Sequence, residues 1–163
     1  MVAGLDLYSL IKRGGVFTGV EAESSKDVYS FICKNAELPC DVDRDNIFRE
    51  LCLREEILST AVGNGIAIPH PRRPLLKSAE DQRIIVCFLK NSLDMSAPDS
   101  RRVSVMFILL TSSPKDHVSI LSQLAKLFRE PGFKEVLEAG PDKEKLLEAV
   151  ERAGFFRNVK EIS

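Results

Sequence analysis

The chain has 163 residues and a mass of 18.2 kDa, enough for one domain with a substantial hydrophobic core. Its 44% hydrophobic and 29% charged residues are ordinary for a globular protein, and a formal net charge of -1 argues against nucleic-acid binding, as no basic block exceeds Arg72-Arg73 or Arg101-Arg102. No apolar stretch approaches bilayer length and the opening MVAGLDLYSLIKRGG is too polar for a signal peptide, so the expectation is a cytoplasmic protein with no direct membrane insertion.

Leu5 to Lys12 has the spacing of a short amphipathic helix, stopped by Gly14-Gly15, and Val16 to Val20 reads as a first strand. Ser24 and Asp27 stand at the Ser-x-x-Asp positions of an N-cap, and the helix after them places Val28, Phe31 and Ile32 on one face as far as about Glu37. A second helix starts after Asp43 or Asp45 and turns Ile47, Leu51 and Phe48 inward. Strands are predicted near Ala61-Val62, Gly65 to Ile68, Arg83 to Leu89 and Val103 to Leu110. Pro114-Lys115-Asp116 opens a third long helix with Val118, Leu121, Leu124, Ala125 and Phe128 at helical spacing, broken at Glu130-Pro131. A short helix over Pro131 to Ala139 and a last one over Asp142 to Ala153 follow. With no repeat or linker, the chain reads as a single domain, 1–163, of the α/β (α+β) class, with helices on both faces of a sheet.

Cys33, Cys40, Cys52 and Cys87 fit neither a metal knuckle nor a redox pair, and they read as reduced, structural thiols. Asp41, Asp43 and Asp45 alternate as in a calcium loop, but Asn46 replaces the turn glycine and Cys52 stands where the bidentate glutamate belongs, so helix capping is the reading. His70 and His117 lack a third ligand at zinc spacing, and no metal is expected.

The most informative stretch is Gly63-Asn64-Gly65-Ile66-Ala67-Ile68-Pro69-His70. Two glycines permit a sharp turn, a short apolar run follows, and Pro69 and Pro71 hold His70 in an extended backbone. On local chemistry alone this is either a presented imidazole or an ordinary loop histidine. The octet, with Arg54-Glu55-Glu56 and Ser59-Thr60 before it, closely resembles the phosphorylation site of phosphotransferase-system enzyme IIA domains of the mannitol/fructose class, which includes the nitrogen-regulatory branch. The likeness runs from about Leu5 to about Phe155.

The resemblance implies a three-layer α/β/α sandwich with a mixed central β-sheet. It implies that His70 takes phosphate from an HPr-type histidine phosphocarrier protein and hands it to an enzyme IIB domain or, in the regulatory branch, that its phosphorylation state signals to a regulatory protein target. No cofactor is implied. Histidine suits such a relay, since its neutral ring is nucleophilic near neutral pH and the P–N bond splits one transfer into two easier steps. Arg54 precedes His70 by the family's separation and would meet the phosphoryl oxygens; on residue type alone it would equally form a surface salt bridge with Glu50 or Asp45. His117, in the run His117-Val118-Ser119-Ile120-Leu121-Ser122-Gln123-Leu124, matches the family's second histidine and sits at a helix N-terminus, where free amides would favour an anion. Ser59 and Thr60 match hydroxyl residues of the motif and would either donate to the phosphoryl group or satisfy a turn. One departure stands out: the family usually has glycine after the histidine, where this chain has Pro71-Arg72-Arg73-Pro74, which bears on partner choice.

Overall fold

Local capping chemistry sets most of the element boundaries in the structure, a computed structural model that describes residues 5–155. The outermost residues of the expected 1–163 domain lie outside the described residues. Asp6 accepts from both Ser9 N and Ser9 Oγ to open α1 (Leu7–Gly14), and Gly15 closes it at φ 95°. After β1 (Val16–Val20), Ser24 caps α2 (Ser25–Asn35), while the Asp27 carboxylate reaches back to Glu23 N at 3.0 Å, one residue beyond the capping-box partner. Asp43 caps α3 (Arg44–Ile57) by accepting from Asp45 N and Asn46 N, so the alternating acids serve this helix start. Four strands follow: β2 (Ala61–Gly63), β3 (Ile66–Ala67), β4 (Arg83–Leu93) and β5 (Val103–Leu110). A 3-10 turn over Ala79–Asp81, absent from the sequence reading, precedes β4. The chain continues through α4 (Pro114–Phe128), α5 (Phe133–Glu138) and α6 (Lys143–Arg152).

The five strands form one mixed sheet in the order β1-β4-β5-β3-β2. β1 pairs parallel to β4, β4 antiparallel to β5, β3 parallel to β5, and β2 antiparallel to β3. Period-two alternation divides the apolar residues of β4 and β5 between two cores. Ile84, Val86, Phe88, Val105, Phe107 and Leu109 join the core under α1, α4, α5 and α6. Ile85, Cys87, Met106, Ile108 and Leu110 join the other core, with Val28 and Ile32 of α2 and Ile47 and Leu51 of α3. These two cores make the three-layer α/β/α sandwich with a mixed central sheet.

Two packing details differ from the sequence reading. In α4 the buried residues are Ile120, Leu124 and Leu127, whereas Val118 and Ala125 face solvent. Both sets keep helical spacing because apolar residues cover a wide arc of this helix, so the tertiary contacts choose the centre of the buried face. In α2, Tyr29 is fully buried beside Val28 and Ile32, and its phenol donates to Glu55 of α3. Burial together with the Glu55 charge pushes the tyrosine pKa up, so it stays a donor.

Gly14 lies where α1 crosses β4, and a Cβ there would sit 1.9 Å from the Ile84 carbonyl oxygen. Backbone cannot yield as a side chain can, so Gly14→Ala is expected to destabilise the fold by about 3 kcal/mol, read as a lowered urea midpoint. All four cysteines are free thiols; Cys40 is exposed, and burial pushes Cys33 up to about 11 and Cys87 up to about 12. A thiol reagent should therefore modify Cys40 promptly in the native protein and Cys87 only on unfolding, with four thiols titrating in denaturant.

Candidate functional site

The segment leading to His70 is held by backbone bonds on both sides. Gly63, Asn64 and Gly65 all take positive φ, at 101°, 55° and 79°, to make the tight β2–β3 connection. Asp99, from the loop before β5, accepts from Asn64 N at 2.8 Å and fixes the turn from outside. Ile66 and Ala67 then pair with Val105 and Met106, Ile68 N donates to Thr60 O at 3.0 Å, and Leu109 N donates to Pro69 O at 2.8 Å. Pro69 has no N–H to lose there, so the chain runs beside β5 up to His70 and then leaves the sheet.

The His70 ring is half-buried, with Nδ1 at 2.8 Å from Ile68 O. A carbonyl oxygen only accepts, so Nδ1 carries the proton and Nε2 keeps its lone pair. The hydrogen bond to the second residue back also fixes the direction in which Nε2 faces.

β5 delivers the second histidine. It ends at Leu110, Thr111 is buried, and Ser113 caps α4 by accepting from Asp116 N at 3.2 Å. His117 N donates to Ser113 O, and Pro114, the first residue of the helix, has no N–H. The two histidine rings lie 4.7 Å apart between centroids, tilted by 57°. Gln82, wholly buried, clamps this end of α4: it donates to Asp116 Oδ2 at 3.0 Å and accepts from Ser112 N at 2.9 Å.

A cavity of about 340 Å³ opens over both rings, lined among others by Arg72, Arg73, Pro74 and Val118. Arg54, in the last turn of α3, donates to Leu58 O, and its charge bears on both imidazoles. It forms no ion pair with Glu50 or Asp45; Glu50 instead takes Arg72, through Nε and Nη2 at 3.1 and 3.2 Å. Ser59 Oγ donates to Met95 O and accepts from Ala61 N, while Thr60 Oγ1 donates to Glu55 Oε1 at 2.7 Å. Both hydroxyls thus stabilise the β2 approach, and the Glu55 carboxylate is held by Tyr29 and Thr60.

Burial lowers the His70 pKa below its usual 6.5, with Arg54 adding to the effect and the Ile68 hydrogen bond opposing it. Burial, His70 and Arg54 together push His117 down to about 4. Both rings are therefore neutral at pH 7, the nucleophilic form for one and a single N–H donor for the other.

The sequence matches the family described as phosphoenolpyruvate-dependent sugar phosphotransferase system, EIIA 2, over residues 9–153. The chain belongs to this family. It is 31% identical over 148 residues to the nitrogen regulatory protein of Pseudomonas aeruginosa, covering 88% of this chain and 94% of that one. Its fold superposes on the crystal structure of nitrogen regulatory protein IIA-Ntr from Neisseria meningitidis with a TM-score of 0.69 and 26% identity, covering 83% of this chain and 91% of the other. The complex of enzyme IIAMTL and phosphorylated enzyme IIBMTL from Escherichia coli shares the fold, at a TM-score of 0.64 and 14% identity over 85% of this chain and 94% of that one. Among the described residues no helix is long and apolar enough to cross a membrane.

The family motif pointed to His70, His117, Arg54, Ser59 and Thr60, but not to Glu50 or Gln82, nor to the bonds by which Tyr29 and Thr60 hold Glu55. Glu50 carried one weak signal, an acid four residues before Arg54 on the same helix face. Gln82 carried none, since the Asp116 and Ser112 partners it clamps lie some thirty residues away.

A histidine whose folded pKa is depressed binds its proton more readily when unfolded, so stability is complete above about pH 6.5 and is lost as pH falls toward 4. The urea midpoint should therefore drop between pH 7 and pH 4.5, and His117→Gln should flatten part of that drop. An equal drop in the variant would remove His117 as its source.

Proposed function

We propose that this chain is a cytoplasmic phosphoryl carrier of the phosphoenolpyruvate-dependent phosphotransferase system, acting as one enzyme IIA domain with His70 as the phosphorylated residue. The observation that carries this reading is the Nδ1–H bond to Ile68 O, which leaves Nε2 as a fixed nucleophile on an open cavity. The Nε2 lone pair attacks the phosphorus of a phosphohistidine on an HPr-type carrier protein. The donor P–N bond breaks with its electron pair returning to the donor ring, and the positive charge gained by His70 is shared with Nδ1–H, whose bond to Ile68 O strengthens. Arg54 and the N–H of neutral His117 meet the negative phosphoryl oxygens as the group passes. The same chemistry in reverse hands the group to a cysteine of an enzyme IIB domain, on the way to a sugar.

A protein partner is supported by the surface. Ile57, Leu58, Val62 and Val118 are large apolar residues 51–68% exposed. Val118 lines the His70 cavity, Leu58 accepts the Arg54 hydrogen bond, and Val62 lies in the strand beside β3. A second reading, a regulatory protein whose phosphorylation state governs its binding to other proteins, is favoured by the near full-length match to a nitrogen regulatory protein.

After incubation with phosphoenolpyruvate and the general phosphotransferase components, His70 should carry an acid-labile, alkali-stable phosphate, and His70→Ala none. Label confined to His117 would overturn the site. Arg54→Ala and His117→Ala should still label at His70 but about 10²–10³ more slowly in single-turnover transfer. Arg54→Lys should recover only part of the loss, because a point charge lacks the guanidinium fork. Transfer onward to a purified IIB domain, or its absence, separates transport from the regulatory reading.

A further inference from the structure

Glu50 is an unusual residue for the inner side of a helix: it is 4% exposed, between Ile47 and Leu51 on the buried face of α3. Arg72 meets it with a two-point fork, Nε to Oε2 and Nη2 to Oε1, and this pairing holds the Glu50 carboxyl below its usual range. The positions of the two partners in the chain are informative. Glu50 lies one helical turn before Arg54, on the same side of α3. Arg72 lies two residues after His70, and the residue between them is the buried Pro71. The pair therefore ties the helix that carries Arg54 to the segment that carries His70.

We propose that Glu50 and Arg72 act as a positioning strut that sets the Arg54 guanidinium against the His70 ring. This rests on the reading of Arg54 as a phosphoryl contact. Arg54 itself makes only one hydrogen bond among the described residues, to Leu58 O at the end of its own helix, and that bond does not tether it to His70. Its distance from the nucleophile is set by where α3 sits. Pro71 has a fixed φ, so an anchor at Arg72 transmits to His70 through few soft torsions. Stability alone is a poor reason for the pair, since an ion pair with one half-exposed partner contributes little, whereas a two-point fork fixes distance and direction. Arg72 stays about half exposed on the cavity rim beside Arg73, but its Nε and Nη2 are turned to Glu50.

The test is a coupling measurement with Glu50→Gln and Arg72→Met combined, which removes both charges at similar volume and leaves no ion buried alone. The double variant should fold with a urea midpoint near that of the parent chain and transfer phosphate to His70 about 10–10²-fold more slowly. In that background the Arg54→Ala loss should shrink by the same factor of about 10–10² from its value of about 10²–10³ in the parent chain, because both changes remove one interaction. An undiminished Arg54→Ala loss in the double variant, or parental transfer by the double variant, would overturn the strut while leaving the Arg54 assignment intact. No loss on Arg54→Ala in the parent chain would overturn the Arg54 assignment, and the strut with it. A readout independent of any donor protein is the His70 imidazole titration followed by NMR. It should move upward in the double variant as the Arg54 charge recedes, and an unmoved titration would also overturn the strut.

Discussion

The parallel pairing of β3 with β5 is the constraint on which the site depends. Parallel strands end at the same edge of a sheet, so the residues that follow them are delivered side by side. Residue 70 follows the shorter strand by way of Pro69, whose carbonyl still accepts from Leu109 N. Residue 117 follows the longer one by way of the Ser113 cap. Forty-seven positions apart in sequence, the two imidazoles come within 4.7 Å of each other only because of that strand direction. The turn at Gly63 to Gly65, held by Asp99, starts β3 at the point where Ile66 meets Val105 and so sets the register.

The electrostatics follow from that placement. The two imidazoles line one cavity, and the Arg54 charge lowers the proton affinity of both. The nearby carboxylates are already committed, Glu55 to Tyr29 and Thr60, and Glu50 to Arg72. Both carboxylates are thereby fixed in place, and the Glu55 charge still raises the proton affinity of His70 against the effects of burial and Arg54. Ser59 and Thr60, which resemble hydroxyl residues of the motif, are spent on backbone and Glu55 contacts that keep β2 in place.

Much of this was legible in the chain before any fold was known. The caps at Ser24, Asp43 and Asp142 act within three residues, and local hydrogen bonding is a property of neighbouring positions. Strands β4 and β5 declared themselves as apolar runs because both their faces are covered. The buried face of α4 was harder: a wide apolar arc fits several rotations, and contact with the sheet selected Ile120, Leu124 and Leu127 over Val118 and Ala125.

By itself the sequence determined the local devices: a histidine held between two prolines after a glycine turn, and an arginine and a second histidine at the family's spacing. Those depend on torsional limits and on chemistry carried by single residues. Only the tertiary structure decided which ring nitrogen of His70 bonds to Ile68 O, that the His117 imidazole lies beside it, and that the buried Glu50 pairs with Arg72 and not Arg54. The physical reason is that hydrogen-bond and ion-pair partners are chosen by distance in space, and here strand direction and helix packing set those distances.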